Sequence, residues 1–161
     1  MSEMVKVGMA DLNVCVSPDA ITTLGLGSCV GIVLYDPIRK IAGMVHVMLP
    51  DSTKILNNLN KAKFADTGID LLIQHMMKSG ADRRALVSKI AGGAQMFSFV
   101  NNSEMMRIGE RNVEATKYKL SALGIPVLAE DTGANYGRTI EFYPEKGELH
   151  IKSVGKELKV L

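Results

Sequence analysis

Cys29 and His46 are the two side chains of this sequence whose types and spacing suit them to do chemistry together. A thiol beside an imidazole forms a nucleophile–base pair able to attack an acyl carbon. Cys29 closes the stretch Thr23-Leu24-Gly25-Leu26-Gly27-Ser28-Cys29, where glycines alternate just before an apolar run. Glycine admits backbone conformations closed to other residues, so a loop through Gly27 and Ser28 can aim N–H groups at an oxyanion. A neighbouring imidazolium lowers a thiol's pKa from about 8.5 and yields a thiolate near neutral pH. Such a thiolate attacks an amide carbon and the imidazolium protonates the departing ammonia. Water then opens the thioester to leave a carboxylate.

The pair depends on a hairpin. Asp36-Pro37-Ile38-Arg39 reads as a type I turn with proline at its second position. Tyr35 then pairs with Lys40, residue numbers across the hairpin sum to 75, and Cys29 stands directly opposite His46. Facing residues of an antiparallel pair have Cβ atoms about 4.5–5.5 Å apart. The pleat places Val30, Ile32, Leu34, Ile41, Gly43 and Val45 on one face, which reads as the core face. Cys29, Gly31, Val33, Ala42, Met44 and His46 fall on the other. Each group by itself has a plainer reading. A lone cysteine in an apolar strand is usually a small core hydrophobe, the reading that suits Cys15. His46 alone suits a strand end, His75 a helix surface and His150 a solvent-facing strand position. Ser28 is a rival nucleophile, but its neighbouring thiol is intrinsically the stronger one.

The elements that must position these groups follow from hydrophobic period and turn residues. Val5 to Val16, Ala20 to Leu24, Cys29 to Tyr35 and Lys40 to Leu49 read as strands. Ala65, Ile69, Leu72, Ile73 and Met76 recur at helical spacing within a helix from about Ala62 to Lys78. Leu86 to Ala91 is a strand stopped by Gly92-Gly93, and a second helix runs from about Gly109 to Leu123 with Gly124 as its cap. Val127 to Ala129, Arg138 to Tyr143, Leu149 to Val154 and Leu158 to Leu161 are further short strands. This pattern predicts an α/β fold of mixed β-sheet layers with helices packed on them, in one domain over residues 1–161.

Composition narrows the function classes. A chain of 161 residues can bury a core without staples, and a net charge of +2 with no basic stripe argues against nucleic-acid or membrane-surface binding. Two cysteines make no disulfide framework, so a reduced, cytoplasmic protein is expected. Neither cysteines nor histidines show metal-ligand spacing, and no signal peptide or membrane span is visible. Among the remaining features, Met96 and Phe97 after Gly92-Gly93 suit either the core or an apolar contact for a partner helix. Arg111 and Asn112 suit a helix cap or a partner contact, and Asp131, Thr132 and Asn135 form a polar loop.

At its catalytic motif the sequence resembles the CheD family of chemoreceptor glutamine deamidases. The resemblance includes Thr23 to Val30 and Gly43-Met44-Val45-His46-Val47-Met48-Leu49-Pro50, then Lys63-Phe64-Ala65-Asp66-Thr67 and Lys89 to Phe97. It continues through Ile108-Gly109-Glu110-Arg111-Asn112 and Ala129-Glu130-Asp131-Thr132-Gly133, in family order over nearly the whole chain. It implies a catalytic Cys29 and His46, with Thr23 orienting the imidazole, and a fold similar to the catalytic domain of the cytotoxic necrotizing factor toxins. It implies cofactor-free conversion of glutamines to glutamates on methyl-accepting chemotaxis receptors, which are long helical rods. The partner it implies is CheC, a phosphatase of phosphorylated CheY that competes with receptors. A monomer is expected. The rival readings are a non-catalytic regulator of CheC, a receptor methylesterase and a thiol peptidase.

Overall fold

Turn chemistry near the N-terminus splits what looks like one strand. Ala10 takes a left-handed conformation (φ 56°) between Val7 and Leu12, which breaks the apolar stretch in two. In the computed structural model, which describes residues 2–96 and 107–161, the halves enter different sheets. The strands are β1 (Met4–Val7), β2 (Leu12–Val16), β3 (Ala20–Leu26), β4 (Val30–Asp36), β5 (Ile41–Val47), β6 (Val87–Gly92), β7 (Val127–Thr132), β8 (Arg138–Tyr143), β9 (Glu148–Lys152) and β10 (Lys159–Val160). The helices are α1 (Ala65–Lys78) and α2 (Ile108–Ala122).

The strands form two five-stranded sheets, β1-β3-β8-β9-β10 and β2-β5-β4-β6-β7. Both are mixed, because β1 runs parallel to β3 and β6 parallel to β7 while the other pairs are antiparallel. One core lies between the sheets, built from Val7, Ile21, Leu26, Val33, Met44, Ile140 and Phe142. A second lies between the β4–β5 sheet and the helices, where Val30, Ile32, Leu34 and Val45 meet Ile69, Leu72 and Met76. The stripe on α1 is the one its helical spacing predicts, and each fully buried Ile, Leu or Met contributes about 1.5–3 kcal/mol. Every residue of β4 and β5 is buried. The face that carries His46 is therefore as much a core face as its opposite, because a second sheet covers it. No helix among the described residues is long and apolar enough to cross a membrane.

The β4–β5 register differs from the hairpin count. Asp36 pairs with Ile41 and Gly31 with His46, so facing residue numbers sum to 77. The reason is local. The Asp36 carboxylate accepts the backbone N–H groups of Ile38 and Arg39, at 3.0 Å each. That holds Asp36 at the strand end and moves Lys40, at φ 57°, into the turn. A shift of two preserves the faces. Cys29 stays on the His46 side but lies diagonally beyond it, outside the ladder, and Gly31 takes the place opposite the imidazole.

That glycine has a steric task. A Cβ at Gly31 would stand 2.6 Å from Ile140 Cδ1 and 3.1 Å from Leu26 Cδ1, both on the facing sheet. Gly31→Val is expected to cost about 1–3 kcal/mol through overpacking. At about 2–4 °C per kcal/mol for a domain of this size, thermal melts would read the loss directly.

Candidate active site

Three residues, Gly27 to Cys29, carry the chain from β3 in one sheet to β4 in the other. Beside this crossing, Thr23 on β3 reaches His46 on β5 from the facing sheet: Thr23 Oγ1 and His46 Nδ1 are 2.7 Å apart. Thr23 Oγ1 also donates to the Val7 carbonyl at 2.8 Å. A hydroxyl has one hydrogen and a carbonyl can only accept, so that hydrogen belongs to Val7. Thr23 must then accept from Nδ1–H of His46. The chain of bonds fixes the tautomer: in the neutral ring, Nε2 carries the free lone pair. Nε2 is buried and has no hydrogen-bond partner among the described residues.

The loop that bears Cys29 is held by its carbonyls. Gly27 O accepts from Ala94 N–H at 2.9 Å, and Cys29 O accepts from Gly93 N–H at 2.8 Å. Ser28 O accepts from Asn112 Nδ2 at 2.9 Å. The amide N–H groups of Gly27 and Ser28 have no acceptor among the described residues. Gly92 and Gly93 make the cradle possible. A Cβ at Gly92 (φ 112°) would fall 2.3 Å from the Cys29 carbonyl oxygen, and one at Gly93 (φ 67°) would fall 2.2 Å from Val113 Cγ2. The sequence shows these glycines as a strand stop. Their second role, close approach to the Cys29 loop, carries no local signal beyond the pair itself.

Burial acts on both groups. Cys29 is 8% exposed and His46 is 1% exposed. Desolvation pushes the Cys29 thiol above its ordinary range, opposed by its own backbone N–H, and pushes the His46 imidazole below its ordinary range. Both directions favour a neutral thiol and a neutral imidazole over a thiolate–imidazolium pair. Cys15, the other cysteine, is buried between the sheets and its thiol is pushed up to about 12, which suits a core role.

The comparisons with known proteins bear on the whole chain. Residues 48–153 match the family model CheD, described as CheD chemotactic sensory transduction. A probable chemoreceptor glutamine deamidase CheD of Lachnoclostridium phytofermentans is 72% identical over 159 residues, covering 99% of each chain. The chain belongs to the CheD family. A chemoreceptor glutamine deamidase CheD of Halalkalibacterium halodurans is 59% identical over 155 residues, covering 96% of each chain. Among solved structures, the Bacillus licheniformis hypothetical protein YfiH aligns with a TM-score of 0.44 at 15% identity, over 72% of this chain and 47% of its own. The match to the CheD family model begins at Met48, beyond Thr23, Cys29 and His46. The near-full-length relatives are what extend the likeness across those residues.

Elsewhere in this CheD chain the residues expected to contact partners separate. Met96 is 47% exposed and lies over the Cys29 loop, its Cγ 3.4 Å from where a Gly27 Cβ would stand. Phe97 lies outside the described residues. Arg111 is half-buried and lines a groove of about 520 Å³ with Pro50, Asp51, Asp66 and Tyr118. Asn112 is fully buried, so it offers no surface to a partner, and its amide is spent on the Cys29 loop. Asp131 is tied to Arg138 and Lys159 by ion pairs. Among the described residues, no group of three His, Cys, Asp or Glu side chains stands where it could hold a metal ion.

Proposed function

We propose that this chain is a protein-glutamine deamidase acting on chemotaxis receptors, with Cys29 as nucleophile, His46 as base and Thr23 as the group that holds the base. The observation that carries the chemistry is the Val7–Thr23–His46 chain, which leaves a bare Nε2 in the space between the sheets. The names of the near-full-length relatives supply the substrate class.

As Cys29 Sγ attacks the glutamine side-chain carbon, its proton passes to His46 Nε2. The carbonyl oxygen becomes an oxyanion facing the N–H groups of Gly27 and Ser28. Collapse breaks the C–N bond, and the proton on Nε2 leaves with the amine as ammonia. A water, losing its proton to Nε2, attacks the thioester; the carboxylate departs and the thiol recovers its hydrogen. The exposed Met96 over the loop supplies an apolar rim for a helical substrate.

Intact mass of a receptor fragment tests the reaction. Each deamidation adds about one dalton without cutting the chain, because NH₂ becomes OH. A cleaved fragment, or an unchanged mass, defeats the proposal. A methylesterase would instead lower the mass of a methylated fragment. The neutral pair adds a pH prediction. Catalysis needs neutral His46, whose lowered pKa moves the acid limb of kcat/KM below 6.5, the ordinary histidine value. Alkylation of Cys29 by iodoacetamide should still be rising at pH values where a free thiol has levelled off, because the thiol is raised. A rate already flat from mildly acidic pH would show a preformed thiolate and refute the neutral pair.

A further inference from the structure

We infer that Asn112 is a positioning residue that clamps the nucleophile's loop to the strand end carrying the base. The inference rests on the Cys29–His46 reading above. The β4–β5 ladder ends at the pair Val30–Val47. Beyond it the two strands no longer pair: Cys29 O accepts from Gly93 N–H, and Met48 N–H donates to Lys63 O. Across this gap stands one side chain from α2. Asn112 Nδ2 donates to Ser28 O at 2.9 Å and to Met48 O at 3.0 Å. Ser28 adjoins the nucleophile, and Met48 is two residues from His46. Both hydrogens of one amide therefore join the two arms of the pair where the sheet no longer does.

The orientation of that amide is decided by its neighbours. Both are carbonyls, which only an NH₂ group can face. Asn112 Oδ1 is buried without a partner among the described residues, so the two donors alone hold the side chain in place. The helix itself is pressed against the same loop system. A Cβ at Gly109, one turn earlier, would fall 2.3 Å from Ala94 O and 2.6 Å from Gly93 O. Gly93 and Ala94 are the residues whose N–H groups hold Cys29 O and Gly27 O. The first turn of α2 thus sets the height of the loop, and Asn112 sets its separation from the base.

Asn112→Leu keeps the approximate volume and removes both donors. A displacement of about 1 Å in reacting groups can cost about 100-fold in rate. The expected result is a fall of roughly 10- to 100-fold in kcat with KM changed by less than about threefold. The pH profile of Cys29 alkylation should also depart from the wild-type profile, because a released loop holds the thiol at a different depth. A lower melting temperature with kcat and the alkylation profile unchanged would overturn the inference, since only folding would then depend on Asn112. If the leucine variant does not fold, Asn112→Ser, which retains one donor in a smaller side chain, should show a partial loss of the same kind. In the wild-type protein, hydrogen exchange of the Asn112 side-chain amide is a measurement free of any variant. Protons exchanging as fast as those of the exposed Asn57 would also overturn the inference. If the wild-type protein releases no ammonia from receptor fragments, the deamidase reading fails by itself, and the alkylation profiles still decide for or against Asn112.

Discussion

Cys29→Ala is expected to lower ammonia release from receptor glutamines by about 10⁴-fold or more, with the fold intact. The effect is large because no second group in the described site can form the acyl intermediate. Ser28 precedes Cys29 in the same loop, but its carbonyl is held by Asn112 and its hydroxyl is far less acidic than a thiol. The fold should survive because the loop is fastened through backbone atoms. Gly93 N–H and Ala94 N–H hold the carbonyls of Cys29 and Gly27 whatever side chain residue 29 bears. Removing one buried sulfur costs on the order of 1 kcal/mol. The measurement is intact mass of a receptor fragment, with circular dichroism of the variant alongside. A folded alanine variant that still adds a dalton per site would refute Cys29 as nucleophile. Loss of ammonia release in the alanine variant marks the enzyme, whereas a non-catalytic regulator of CheC would keep its binding and regulatory effect and have no ammonia release to lose.

Thr23→Val should lower kcat by about 10²- to 10³-fold, less than the roughly 10⁴-fold known for a buried carboxylate in the same position of a serine triad. Valine matches threonine in shape but neither accepts from His46 Nδ1 nor donates to Val7 O. The imidazole loses the bond that selects its tautomer and its angle, so Nε2 is no longer the reserved lone pair. Two buried polar groups are also left without partners, at about 1–3 kcal/mol each. The melting temperature should therefore fall with kcat. Thr23→Ser separates the two effects. It restores the hydroxyl and should return most of kcat while leaving the loss of one buried methyl, about 1 kcal/mol. If the valine variant keeps kcat within about threefold, Thr23 contributes packing alone.

Much of this site is legible in the residues themselves. Two-residue periodicity places Cys29 and His46 on one face of a hairpin, and that assignment survives a register error because the error is a shift of two. Alternate glycines before Cys29 mark the loop. The spacing of Ile69, Leu72 and Met76 marks the helix face that covers the other side of the sheet. The register was not legible, since it turns on the Asp36 carboxylate capping two N–H groups of its own turn, a competition between two closely similar hairpin loops. The break at Ala10 hid for a related reason: alanine carries no signal for a left-handed turn.

Local pattern states which residues share a face, but not which distant face will cover it. That β3 would cross over β5 and bring Thr23 to His46 depends on two sheets closing on each other, with Gly31 opposite the imidazole to let them approach. That Asn112 would be buried, reaching Ser28 and Met48, depends on how α2 seats against Gly93 and Ala94. The face that Cys29 and His46 share is a property of a short stretch of chain. The tautomer of His46, the burial of both groups and the reach of Asn112 to Ser28 and Met48 are decided by contacts between residues far apart in sequence, where the geometry of single hydrogen bonds leaves one arrangement.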